Sequence, residues 1–218
     1  LFWGQNPLVS GPDGKLSFPV DRAIENGSYG ICIDPRKTRT AQKCKLWLPV
    51  RPGTDAAVAL AMINHIINRN LYDKDFVEKW TYGFEELTQH VIDFSPTWAE
   101  NISGVRAADI EAAAERYAAN PPSSIEWGVA IEQHPNSLQT VRAIAILRGL
   151  TGNIDRPGAD LLGMNILNPY PVLRNKLPRG MLKKRLGADK FKLLGGFRAF
   201  MPSAHISALF DAMRTGSP

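Results

Sequence analysis

"IDPRKTRTAQKCKLWLPVRPGTDAAVALAMINHII", residues 33–67, holds two strand endings and a helix opening in one run. Ile31 and Ile33 belong to the β-rich stretch "YGICIDPR", which stops at Asp34-Pro35. Proline lacks a ladder donor and restricts the residue before it, so it ends a strand. A further short strand over about 46–50 stops at Pro52-Gly53. At once "TDAAVALAMINHII" begins, where Thr54 or Asp55 can cap a helix. Its first two turns are apolar almost all round, which predicts a well-buried helix; polarity returns at Asn64, His65, Asn68 and Arg69.

Working outward, "LFWGQNP" (1–7) reads as the last residues of a buried strand breaking into a loop, and "SGPDGK" (10–15) as a turn-rich connection. Downstream, helices are expected over 73–80, 84–94, 107–120 and 137–152. In the third, Ile110, Ala113, Ala114 and Tyr117 share a face, and Gly152 closes the last. "PPSSIEWGVA" (121–130) reads as one more strand. Strands alternating with helices predict an α/β fold with a mostly parallel sheet. Beyond 153 the pattern dissolves into connection with at most short helices, a stretch long enough to be functional or to wrap a larger body.

The bulk numbers bound the classes. The 218 residues are 44% apolar and 22% charged, which predicts a packed core. The longest apolar stretch, 56–63, is far short of the ~20 residues of a membrane helix, so direct membrane insertion is not expected. Cys32 and Cys44 are read as two unpaired thiols and do not decide the compartment. The net charge of +5 is uneven: residues 161–218 carry ten Lys/Arg against two Asp/Glu. Such a basic tail suits an acidic neighbour, a solvated surface or an anionic cofactor. With no recognisable module or aromatic-interleaved motif, nucleic acid is not the expected partner.

In an open parallel sheet, ligands bind beyond the carboxyl ends of the strands. Three such ends carry marked loops: Gly4-Gln5-Asn6-Pro7, Asp34-Pro35-Arg36-Lys37-Thr38, and Arg51-Pro52-Gly53-Thr54-Asp55. Gly4 admits close backbone approach. An acid at the end of the second strand can accept from ribose hydroxyls, and the N-terminus of the third loop's helix suits a phosphate. Arg36 and Arg51 add bidentate donors. Asp55 can accept two parallel hydrogen bonds from guanine N1–H and N2–H, a pair that adenine cannot present. Singly, each signal has a plainer reading: Asp34-Pro35 as a turn, Thr54-Asp55 as a helix cap. No G-x-G-x-x-G is present.

Taken in order, "WGQNP", "IDPRKTRTAQKCKLWLPVRPGTDAAVALAMINHII", "LYDKDFVEKWTYGFEEL", "ISGVRAADIEAAAERYA" and "LTGNIDRPG" resemble the molybdopterin oxidoreductases of the dimethyl sulfoxide reductase family. These are bis(molybdopterin guanine dinucleotide) enzymes of molybdenum and tungsten, found in prokaryotes. The likeness runs nearly continuously over 1–158 and loosely beyond. It implies a Rossmann-like three-layer domain over 1–158 that binds one of two molybdopterin guanine dinucleotides. A long irregular basic connection over 159–218 would then lead toward a second such domain. Carried over by motif, the cofactor-binding residues are Trp3, Gly4, Asn6 and Pro7, then Asp34 and Arg36, then Gly53, Thr54 and Asp55. Gly128, in "WGVAIEQHPNS", aligns with a loop that approaches the cofactor, with Gln133 and His134 near it; a solvated loop histidine is the plainer reading of His134.

The family's iron–sulfur cysteines and metal ligand normally precede "WGxNP", and a second dinucleotide domain and a β-barrel follow. The chain is therefore expected to be an internal piece of a larger molybdopterin-dependent oxidoreductase. Its 4Fe-4S cluster would lie upstream, the remaining domains of the same enzyme would be its neighbours, and electron-transfer subunits its partners. No residue here is assigned a catalytic role or a metal. Two other readings stand beside this one: a stand-alone nucleotide-binding Rossmann-like module without redox chemistry, and a basic nucleic-acid binder.

Overall fold

A computed structural model of the chain describes residues 1–10, 17–162, 178, 180–190 and 205–216. The chain divides into two compact units, Leu1–Leu162 and Gly163–Pro218.

The first unit is α/β. Four short strands, β1 (Phe2–Trp3), β2 (Ile31–Ile33), β3 (Leu46–Leu48) and β4 (Glu126–Trp127), form one sheet in the order β3-β2-β1-β4. Every pairing is parallel: Trp3 sits opposite Ile33 and Trp127, and Ile33 opposite Leu48. All three residues of β2 are buried, as an interior parallel strand covered on both faces requires. The third strand stops at Leu48, two residues short of the expectation, because Pro49 has no N–H to continue the ladder. The strand expected over 121–130 shrinks to Glu126–Trp127. Its partner β1 ends at Trp3, Gly4 turns away with φ +58°, and the chain beyond Gly128 coils into a helical turn.

The helices are α1 (Pro7–Ser10), α2 (Ser17–Glu25), α3 (Arg39–Lys43), α4 (Asp55–Asn68), α5 (Lys74–Trp80), α6 (Phe84–His90), α7 (Pro96–Ser103), α8 (Ala107–Ala119), α9 (Val129–Glu132) and α10 (Ser137–Leu150). Helix α4 is the hub and packs on α7, α8 and α10. Its apolar residues are buried as its composition predicts. Asn64 and His65 are buried as well, each with a partner: Asn64 Nδ2 donates to Val91 O at 2.8 Å, and His65 Nε2 lies 3.1 Å from Glu115 Oε1. On α8 the predicted face, Ile110, Ala113, Ala114 and Tyr117, is the buried one. Fully burying a side chain such as Ile110 is worth about 1.5–3 kcal/mol. Helix α6 ends at His90 rather than Phe94. Helices α2, α3 and α7 have no counterpart in the sequence reading. Most of the loop expected over 10–15 lies outside the described residues.

In the second unit, the described residues form a 3-10 turn, Met181–Lys184, and a ten-residue helix, Ile206–Thr215, that the sequence reading left unmarked. Most of the remainder of the segment expected to be irregular lies outside the described residues. Among the described residues, no helix is long and apolar enough to cross a membrane.

Candidate functional site

Because all four strands run the same way, their carboxyl ends share one edge. Gly4, Asp34, Pro49 and Gly128 each follow a strand there. The order β3-β2-β1-β4 places the chain's reversal of direction between β1 and β4, the kind of switch point where open α/β sheets bind ligands.

At that point the loops after β1 and β4 touch through their backbones. Gly128 N donates to Trp3 O at 2.9 Å and Gly4 N donates to Ile33 O at 2.8 Å. A Cβ on Gly128 would lie 2.2 Å from Gly4 O, so only glycine fits. Asn6 is fixed by a residue the sequence reading did not single out. Its Oδ1 accepts from Thr40 Oγ1 at 2.8 Å and from Thr40 N at 3.4 Å, and Thr40 is fully buried at the start of α3. With the oxygen so committed, the amide nitrogen has no partner among the described residues. Pro7 is buried and opens α1.

Asp34 is 6% exposed. Its Oδ1 accepts from Arg36 N at 2.8 Å, the turn that plain local chemistry predicts, and its backbone carbonyl accepts from Trp47 Nε1 at 2.9 Å. A carboxylate has about four acceptor positions, so Asp34 retains capacity beyond that turn. The Arg36 guanidinium is exposed and carries no ion pair among the described residues.

The third loop departs from the expected capping. Thr54 occupies the N-cap position, but its side chain makes no cap bond; its hydroxyl donates to Arg51 O at 2.6 Å. Gly53, with φ +82°, sets the turn into α4. Arg51 is partly committed, donating from Nη1 to Ile102 O at 2.8 Å. Asp55 is 7% exposed in the first turn of α4, where the helix dipole favours a carboxylate. Its Oδ1 accepts from Trp3 Nε1 at 2.8 Å. Trp3 is fully buried, so its side chain reaches the site only through Asp55.

After β4, Gln133 is exposed at the end of α9. His134 Nδ1 accepts from Asn136 N at 3.2 Å, and its Nε2 is buried with no hydrogen-bond partner among the described residues. The entry to β4 is held by groups that the sequence did not flag. Arg148 Nε lies 2.7 Å from Asp160 Oδ2, and the guanidinium stands 4.3 Å over the Trp127 ring. Asp160 Oδ2 also accepts from Ile125 N at 3.1 Å.

A separate cleft of about 570 Å³ opens at the opposite, amino end of the strands, lined by Tyr29, Gly30, Arg116 and Ser124 among others. None of the predicted site residues lines it. Cys32 and Cys44 are unpaired, and burial pushes their thiols up to about 12 and about 11.

Residues 1–194 match the family described as molybdopterin oxidoreductase. The chain is 36% identical to acetylene hydratase of Syntrophotalea acetylenica, over all of this chain and 33% of that protein. It is 38% identical to formate dehydrogenase H of Escherichia coli K12, over 72% of this chain and 22% of that protein. A match to the assimilatory nitrate reductase catalytic subunit of Bacillus subtilis, at 35% identity, covers 63% of this chain and 19% of that protein. The solved structure of acetylene hydratase from Pelobacter acetylenicus superposes on all of this chain and 33% of that one, with a TM-score of 0.74 and 34% identity. The chain therefore spans a third or less of these relatives.

Proposed function

Since this chain belongs to the molybdopterin oxidoreductase family, we propose that it holds the guanosine-diphosphate part of a molybdopterin guanine dinucleotide at the carboxyl edge of its sheet. The observation that carries this reading is the pair of buried carboxylates at adjoining strand ends. Asp34 and Asp55 are each oriented by a single fixed donor, and each retains acceptor capacity. The donor set suits the group. Asp55 can take the N1–H and N2–H of guanine, and Asp34 the ribose hydroxyls. Arg36, Arg51 and the uncapped start of α4 suit the diphosphate. Gly4 and Gly128 let the loops after β1 and β4 close on each other at this edge; the amide nitrogen of Asn6, without a partner among the described residues, and exposed Gln133 at the end of α9 are further donors for the ligand. The metal–pterin end of the cofactor, when bound, supplies the redox or hydration chemistry of the whole enzyme; this chain's residues bind and orient.

On this reading the whole protein is a molybdenum or tungsten enzyme with a 4Fe-4S cluster, and this region works with its remaining domains and with electron-transfer subunits. The test is Asp55→Ala in the full-length protein. It should weaken cofactor retention by about 1–3 kcal/mol, the loss expected for a hydrogen bond to a charged group. Retention is measured as guanine released per chain. Unchanged guanine in that variant would argue against base recognition by Asp55.

A further inference from the structure

We propose that Trp3 is the positioning residue for base recognition at this edge: its indole N–H aims the Asp55 carboxylate, and so sets the site's preference for guanine. The inference rests on Asp55 as the base-reading group.

Trp3 and Asp55 are 52 positions apart in the chain, and nothing local ties them together. Asp55 opens the helix that follows β3, and β3 lies two strands away from β1 in the sheet. At ordinary strand spacing that is roughly 10 Å. Bridging it takes a side chain both large and tipped with a donor, which tryptophan supplies with a group that can only donate. The indole is fully buried and its nitrogen is 2.8 Å from Asp55 Oδ1. The backbone of Trp3 is also engaged, its carbonyl accepting from Gly128 N.

The geometry does three things. An indole N–H donates but cannot accept, so it favours Asp55 as an acceptor. It occupies one acceptor position on Oδ1 and leaves the others on both oxygens. And because the indole is packed on all sides, the carboxylate cannot swing freely about its χ angles. Two parallel hydrogen bonds to a base need both oxygens held in one plane, and a freely turning carboxylate would offer them only part of the time. A plain packing role for Trp3 would be met equally by a ring of the same size without the N–H.

That difference is the experiment. In the full-length protein, Trp3→Phe and the replacement of Trp3 by 3-benzothienylalanine remove the donor; the second keeps the shape, with sulfur in place of N–H. Guanine retained per chain after exhaustive dialysis is compared with Asp55→Asn and with the combination of Asp55→Asn and the isostere. The expected result is about a tenfold loss of retention for the isostere, with its melting temperature lowered by only the several degrees that any buried acceptor losing its donor brings. A larger loss is expected for Asp55→Asn, with no further loss in the combination, because both changes break one unit. If Trp3→Phe does not fold, the isostere decides. Parent-like retention in the isostere, with loss in Asp55→Asn, overturns the role of Trp3 and leaves base recognition by Asp55 standing. Additive losses in the combination overturn it equally. Parent-like retention in Asp55→Asn overturns the reading of Asp55, and the role of Trp3 falls with it.

Discussion

Gly128→Ala tests the backbone contact at the centre of the proposed site. The φ and ψ of Gly128, −101° and 173°, are open to any residue, so the substitution carries no backbone strain of its own. The cost is steric. The added carbon would lie 2.2 Å from Gly4 O, 3.1 Å from Gly4 C and 3.2 Å from Gln5 Cα. An ordinary carbon–oxygen contact is more than ~3 Å, so one loop must retreat by about 1 Å. That movement stretches two hydrogen bonds, Gly128 N to Trp3 O and Gly4 N to Ile33 O. Overpacking costs about 1–3 kcal/mol, and each weakened bond up to about 1 kcal/mol. The expected total is about 2–4 kcal/mol, or roughly 4–16 °C in melting temperature for a chain of this size. Gly53→Ala is the control. It has φ +82° but nothing within 4 Å of the new carbon, so it should cost only about 1–2 kcal/mol of left-handed strain. Urea unfolding of both variants against the parent is the assay, with guanine retention as a second reading. If Gly128→Ala falls within 0.5 kcal/mol of the parent, on the order of an ordinary surface substitution, the two loops do not meet as described.

Thr40→Val keeps the shape of a fully buried side chain but removes the hydroxyl that donates to Asn6 Oδ1. It should lower stability by about 1–3 kcal/mol and reduce guanine retention, both measurable in the same assays. Asp160→Asn weakens the partner of Arg148, whose side chain is 18% exposed, and should cost about 1–3 kcal/mol by urea unfolding; a buried pair would lose more, but both groups keep some solvent. The thiol of Cys32, held up to about 12 by burial, should resist iodoacetamide at pH 8 in the folded chain and react once it is unfolded; equal labelling in both states would refute its burial. Because folding raises that pKa, the stability it contributes is full below the ordinary thiol value. It is lost as pH climbs from about 9 toward about 12, and a pH series of melting temperatures would follow it.

The elements most legible in the sequence are those with punctuation. Asp34-Pro35, Pro52-Gly53 and the apolar run after Thr54 mark strand ends and a buried helix through residues that local sterics constrain. The parallel sheet and its loop-bearing edge follow from them. Helix α3 escaped because it is only five residues long, and α2 and α7 because each carries a proline within it or at its start, which reads as a break. Thr38, whose hydroxyl accepts from Ala41 N, and Ser95, which accepts from Trp98 N before Pro96, were the available signals for two of them. The strand over 121–130 read too long because its length depends on where its neighbour turns away, at Gly4, which precedes Glu126 by 122 positions in the chain.

Local sequence determined which residues stand at the strand ends, since proline, glycine and capping preferences act within a few positions. Only the tertiary structure decided what those residues do to one another. The Trp3 indole against Asp55, Thr40 against Asn6, and the bare backbone of Gly128 against Gly4 join positions separated by 52, 34 and 124 residues. Such pairs come from strand order, because parallel strands brought side by side place their carboxyl ends within hydrogen-bond reach whatever the chain between them contains.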